Sequence, residues 1–391
     1  MKKNKIIFVH FNRFLDNFDW ERYELDLLSK SYLVEVHVLI NLVHPHLKNK
    51  NYNKFSKNKK IKIFKNLDEW REKINDYQKK NHFIFQTFPY NFVALKIFQI
   101  VKKKGFKTSI IYINNLPTYS DYKISANILE NFHKKFLSAV FRPKHSLATI
   151  KKILITCFFK IFKNYFSTDF SIIGGNKKSN FSSLKTIRIN SWDYSKTLRK
   201  SSRIVNKKNY ILYLSDGETR YQSDSQLWNT ERVENSKLYL KKLNLFFNKI
   251  EKKYNLEILI AAHPRSNPKL TRDIELGKRK SFYGKTFELT KNAKFIMSCG
   301  STALSYAVLL KKPILFIFSS SQQKKNVSFN KFANFFANIL NCKRVDIDNY
   351  FNAENESFKP VDQKSYEKYQ KNFIVNKANK QNYKILIENL R

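Results

Sequence analysis

The chain has 391 residues, of which 42% are hydrophobic and 27% charged. That length accommodates two or three domains, each able to bury its own core. Lys and Arg number 74 against 31 Asp and Glu, a formal charge of +43, and the apolar and aromatic content excludes a disordered basic tail.

Lys5 to His10 (KIIFVH) is a short apolar run and predicts a buried strand. A helix from about Asp19 to Leu28 follows, with Asp16 or Asn17 as caps. Val34 to Ile40 predicts a second strand and His82 to Gln86 a third, before an apolar helix from Asn91 to Lys104. Gly105 stands where a helix C-cap glycine belongs. Ser109 to Ile113 and Asp169 to Ile173 predict further strands. The pattern restarts with a strand at Tyr210 to Leu214, a helix at Glu234 to Tyr254 and a strand at Glu257 to Ala261. A strand Phe295 to Ser298, a helix Ser301 to Leu310 and a strand Ile314 to Phe318 complete it. Strands alternating with helices predict α/β architecture with parallel sheets. The expected organisation is two Rossmann-like domains facing across a cleft. They span 1–194 and 209–363, with a polar linker at 195–208 and a helical segment at 364–391 that returns towards the first domain.

Other features narrow the class. Cys157, Cys299 and Cys342 are too few and too scattered for a disulfide framework or a zinc site. No carboxylates cluster with metal-ligand spacing; no metal is expected, and no cofactor apart from the substrate. No run of about 18 uncharged apolar residues appears, and the opening MKKNKIIFVHFNRF lacks a signal-peptide pattern. The expected setting is reducing and cytoplasmic. The enriched residues all have A/T-rich codons, so one reading of the charge is genome bias and a solvated basic surface. The other is attraction to an anionic membrane face or to nucleic acid. Nucleic acid is disfavoured, because the lysines are spread along the chain and no zinc-finger or RNA-recognition signature occurs. Residues 133–166 mix lysines with bulky apolar residues. They suit either a helix lying at the inner face of the cytoplasmic membrane or an ordinary crossover helix.

Chemistry-bearing residues stand at strand ends. After the strand Glu257 to Ala261 comes Ala262-His263-Pro264-Arg265. Ligands of open α/β sheets bind beyond the carboxyl ends of strands. There His263 can donate to a phosphate oxygen or protonate a leaving phosphate, and Arg265 can bind the same phosphate in bidentate fashion. The alternative is a loop histidine held locally. Downstream, Gly300 permits a tight turn, and Ser301 and Thr302 open a helix whose backbone N–H groups can hold phosphate. Ser301 also suits a helix N-cap. Glu288 could accept from a ribose hydroxyl or cap a short helix, and Ser319 and Ser320 could meet the same ligand.

These motifs resemble the donor-binding half of GT-B glycosyltransferases. Within that class they are similar to bacterial sialyltransferases and Kdo transferases that use CMP-activated sugars. The resemblance covers mainly residues 209–320. It implies that His263-Pro264 and Ser301-Thr302 address the donor phosphate. It also implies that Asp216, within Ser215-Asp216-Gly217, is the general base, with Ser215 standing where those families carry a first acidic residue. The opening HFNRFLDNFDWERYELDLL resembles amino-terminal domains of surface-polysaccharide glycosyltransferases, which makes His10, Asp19 and Glu21 alternative bases. Asp19 and Glu21 equally suit the start of a helix through its dipole.

The resulting expectation is an inverting, metal-independent transferase. It would move a CMP-activated nonulosonic or Kdo-type acid onto a glycan or lipid-linked acceptor. A nucleoside-diphosphate donor (a UDP-sugar or CDP-glycerol), an epimerase, and a non-catalytic basic binding protein on a degenerate transferase fold are the alternatives.

Overall fold

The computed structural model describes residues 4–11, 17–44, 60–86, 92–113, 167–176, 183–199, 209–215, 236–263, 276–277, 279–325 and 331–390. Its first sheet comprises β1 (Lys5–His10), β2 (Leu33–Val38), β3 (Ile61–Ile63), β4 (His82–Phe85), β5 (Lys107–Tyr112), β6 (Thr168–Gly174) and β7 (Ser183–Ile189). Their order is β3-β2-β1-β4-β5-β6-β7, and every pairing is parallel. The second comprises β8 (Ile211–Leu214), β9 (Ile258–Ala261), β10 (Ser281–Phe282), β11 (Phe295–Ser298), β12 (Ile314–Phe318) and β13 (Lys343–Asp346). It is also parallel, in the order β10-β9-β8-β11-β12-β13. In each sheet the strand order reverses beside the first strand, between β1 and β4 and between β8 and β11. Such a switch point opens a crevice beyond the carboxyl ends.

The strands are continuous apolar runs because both faces of each sheet are covered. Successive side chains point to opposite faces. Ile6 and Phe8 therefore join one core and Ile7 and Val9 another. Leu212 and Leu214 join a third, and Ile211 and Tyr213 a fourth.

Four strands escape the sequence reading: β3, β7, β10 and β13. β3 and β10 are three and two residues long. In β7, SLKTIRI, only Ile187 and Ile189 are buried, and in β13, KRVD, only Val345 is. Each lies at or near a sheet edge, where apolar periodicity is weak.

The expected helix Asp19 to Leu28 is two helices, Asn17–Arg22 and Leu25–Leu28, joined through Glu24 at φ +52°. Tertiary contacts hold that turn. The buried Glu24 carboxylate accepts from Ser195 Oγ at 2.5 Å and from the Tyr383 backbone N–H at 2.8 Å. It also pairs with Arg199 at 3.3 Å.

The chain passes between the two cores twice. The helix Trp192–Thr197 places Trp192 in the first core and Tyr194 against the second. It runs across the boundary expected at 194/195, so Ser195 to Thr197 are helical. Later, Tyr366, Tyr369, Phe373 and Ile374 pack in the second core, while Ile385, Leu386 and Leu390 of the helix Asn382–Leu390 pack in the first. The two passages are stitched together by Asn190. Its Oδ1 accepts from the N–H groups of Asn376 and Lys377, and its Nδ2 donates to the carbonyls of Lys377 and Lys380, all at 2.7–2.8 Å.

No helix among the described residues is long and apolar enough to cross a membrane. The basic segment 133–166 lies outside the described residues.

Candidate functional site

β8, β9 and β11 end side by side in the second sheet. Ser215 follows β8, His263 lies two residues beyond β9, and Ser301 lies three beyond β11. Their carboxyl ends form one wall of a cavity of about 710 Å³. That wall carries Ser215, His263, Ser301 and Thr302, joined by Tyr283, Phe287, Glu288 and Tyr306. The first half of the chain supplies Phe18, Glu21, Arg22, Trp192, Asp193 and Lys196. The cavity is therefore assembled by both sheets' elements.

The turn before Ser301 differs from the expectation. Gly300 has φ +130°, a conformation that favours glycine, so the tight turn is real. The helix starts later, at Leu304, and its N-cap is Ala303, which makes no side-chain cap. Ser298 Oγ accepts from the N–H groups of both Gly300 and Ser301 at 3.1 Å. Ser301 Oγ accepts from the Ala303 N–H at 3.3 Å. Serine side chains compete well for nearby backbone donors, and here they draw these N–H groups inward. Ser301 and Thr302 thus meet the cavity in the turn that leads into this helix, their carbonyls accepting from the Leu304 and Ser305 N–H groups at 3.2 Å.

Ser319 and Ser320 serve another purpose. Both hydroxyls donate to Asp348 Oδ2, at 3.0 and 3.2 Å, as does the Ser321 N–H at 2.7 Å. Burial works to raise the Asp348 pKa, but these bonds and one from Lys242 prevail and bring it down to about 2. The carboxylate gathers the donors that begin the helix Ser320–Lys325, so these serines are not contacts of the cleft.

The candidate bases divide. Glu21 lines the cavity with its side chain about half exposed, 3.9 Å from Lys196. His10 and Asp19 are buried together, His10 Nε2 lying 3.9 Å from Asp19 Oδ2, and the cavity walls do not include them. Asp216, Gly217, Pro264 and Arg265 lie outside the described residues.

Asp193 was not singled out by the sequence. It is 2% exposed, lines the cavity, and its Oδ2 has no hydrogen-bond partner among the described residues. Burial raises its pKa to about 6, against the pull of Arg22 and of the Ser305 and Tyr306 hydroxyls that face it. Burial and the neighbouring Asp193 and Glu288 carboxylates hold the Tyr306 phenol well above its ordinary range. The only local signal for Asp193 is Ser191, an N-cap whose hydroxyl accepts from Tyr194 N–H at 3.3 Å. That signal places a helix and says nothing of a cavity.

Aromatic rings wall both sides. Phe18 and Trp192 meet edge to face at 4.8 Å, and Phe287 and Tyr306 meet in a tilted pair at 5.3 Å. Lys196 Nζ sits 4.8 Å from the Trp192 ring centre. Among the described residues, no group of three or more His, Cys, Asp and Glu could hold a metal ion.

Two doubly wound parallel sheets with a cleft between them define the GT-B class of α/β fold. No family model matches the chain, and no curated protein matches it. Solved structures similar to it include UGT2 of Phytolacca americana, complexed with UDP-2-fluoro-glucose and pterostilbene. That similarity has a TM-score of 0.49 at 9% identity, over 100% of this chain and 99% of that one. The calicheamicin glycosyltransferase CalG4 is similar with a TM-score of 0.47 at 9% identity, over 94% and 90%. The UDP-GlcNAc 2-epimerase of Methanocaldococcus jannaschii, in complex with UDP-GlcNAc and UDP, has a TM-score of 0.43 at 13% identity, over 94% and 98%.

Proposed function

We propose that this chain is a glycosyltransferase that binds a nucleotide-linked sugar in the cavity between its two sheets. The observation that carries the reading is the meeting of His263, Ser301 and Thr302 with Arg22 and Lys196 in that cavity. The first three come from strand ends of the second sheet, and the two cations come from the first half of the chain. The imidazole and hydroxyls are donors for phosphate oxygens, and the cations offset the charge of a departing nucleotide. The aromatic walls suit a base or a sugar ring. The acceptor, by the resemblance, is a hydroxyl of a glycan or lipid-linked precursor.

A nucleoside-diphosphate sugar is preferred to a CMP-linked acid. Two cations in one cavity suit a diphosphate.

Calorimetric titration with UDP, CDP, GDP and CMP tests this. At least one diphosphate should bind tighter than CMP, and His263→Ala should lower turnover of the matching sugar nucleotide about 10²-fold or more. CMP binding tighter than all three would restore the CMP reading. No binding by any nucleotide would overturn the transferase reading.

A further inference from the structure

A transferase that moves a sugar onto a hydroxyl needs a group to take the hydroxyl proton. Among the described residues, which do not include Asp216, three carboxylates line the cavity: Glu21, Asp193 and Glu288. Glu21 is half exposed and faces Lys196, and Glu288 is only partly buried. Asp193 differs from both. It is buried, borders the cavity and carries a buried oxygen, Oδ2, that makes no hydrogen bond among the described residues. Leaving such an acceptor unsatisfied costs about 1–3 kcal/mol.

We infer that Asp193 is the catalytic base of this site, its carboxylate receiving the acceptor's proton. The inference rests on the transferase reading above. Asp193 leaves the first sheet on the helix Trp192–Thr197, whereas His263 stands at the end of β9. Base and phosphate donor thus come from different halves of the chain. The step balances as follows. The acceptor O–H bond breaks and its proton passes to the Asp193 carboxylate. The oxygen forms a bond to the anomeric carbon. The bond from that carbon to the donor phosphate breaks, and its electron pair leaves on the phosphate oxygen.

The groups facing Asp193 fit this role. Arg22 and Lys196 favour its charged form. From the second half, Ser305 and Tyr306 present hydroxyls, and Tyr369 lies near enough for its phenol to be held up by the Asp193 charge. A carboxylate titrating at about 6 is ionised at neutral pH, yet is a stronger base than an ordinary aspartate.

The test uses the full chain with UDP-glucose, UDP-N-acetylglucosamine and CMP-N-acetylneuraminate as donors and water as acceptor, reading nucleotide release. Asp193→Asn should lower kcat about 10²- to 10³-fold while UDP or CMP affinity stays within about threefold. The wild-type kcat should fall on the acid side of pH 6, and the variant should lack that limb. Tyr306→Phe removes a hydroxyl that favours the Asp193 anion, so it should move the limb to higher pH. That variant decides the matter if Asp193→Asn does not fold. Undiminished turnover in Asp193→Asn, loss of nucleotide binding together with turnover, or a limb unmoved by Tyr306→Phe would each overturn the inference and leave the transferase reading standing. No release from any donor by the wild type would overturn both.

Discussion

Asn190 and Asn382, 192 residues apart in sequence, bind each other reciprocally. The Asn190 N–H donates to Asn382 Oδ1 at 2.8 Å, and Asn382 Nδ2 donates to the Asn190 carbonyl at 2.9 Å. Both residues are buried. With the four further bonds of the Asn190 amide, they lock together the two passages of chain that connect the sheets. A side-chain amide has two donors and two acceptor lone pairs, and Asn190 uses them all.

Replacing Asn190 by Asp would turn both donors into acceptors facing the Lys377 and Lys380 carbonyls. Both bonds are only part-buried, so water offsets part of their loss, and each contributes about 0.5–1.5 kcal/mol. Asn190→Asp should lower the unfolding free energy by about 1–3 kcal/mol in urea titration. A loss under about 1 kcal/mol would show that the stitch contributes little.

Glu24 sets two effects against each other. Glycine there would relieve the left-handed backbone, worth about 1–2 kcal/mol. It would also remove a carboxylate that accepts from Ser195 and Tyr383 and pairs with Arg199. Charged hydrogen bonds contribute about 1.5–3 kcal/mol each, and there are several, so the loss wins. Glu24→Gly should lower the melting temperature, and a rise would reverse this ranking.

Asp193 should cost the fold stability at neutral pH. Its pKa is about 6 in the folded chain against 3.8 for the ordinary group. Between those values the native state holds more protons than the unfolded state, so stability falls as pH rises through the window. The full span corresponds to roughly 3 kcal/mol. Asp193→Asn should therefore melt higher than the wild type at pH 8, with the gap closing near pH 4. A gap that does not change with pH would contradict the raised pKa. A residue that weakens the fold while serving the reaction is a common trade.

His82 gives the opposite sign. Burial lowers its pKa from 6.5 to about 4, with Asp169 opposing and Lys107 assisting. Its Nε2 lies 2.7 Å from Ser109 Oγ. The unfolded chain binds the proton first, so this site withdraws stability as pH falls from about 6.5 towards 4. NMR titration should show His82 neutral at pH 5.5, and a midpoint above 6 would contradict the burial.

Much of this architecture is legible in the sequence because it is local. The strands β1, β8, β9, β11 and β12 are apolar runs buried on both faces, and their ends carry His263, Gly300 and Ser301 in chain order. A parallel sheet then aligns those ends on one side, so the wall of the cleft follows from the order of strands. What tertiary structure alone decided is everything set by partners far apart in sequence. The helix break at Glu24 exists because Ser195, Arg199 and Tyr383 arrive there. Ser319 and Ser320 are held by Asp348. Asp193 sits in an unremarkable SWDYS and becomes a buried acid only when Arg22 and Tyr306 close around it. Propensity and periodicity act over a few residues, whereas desolvation and hydrogen-bond partners depend on which distant segments meet.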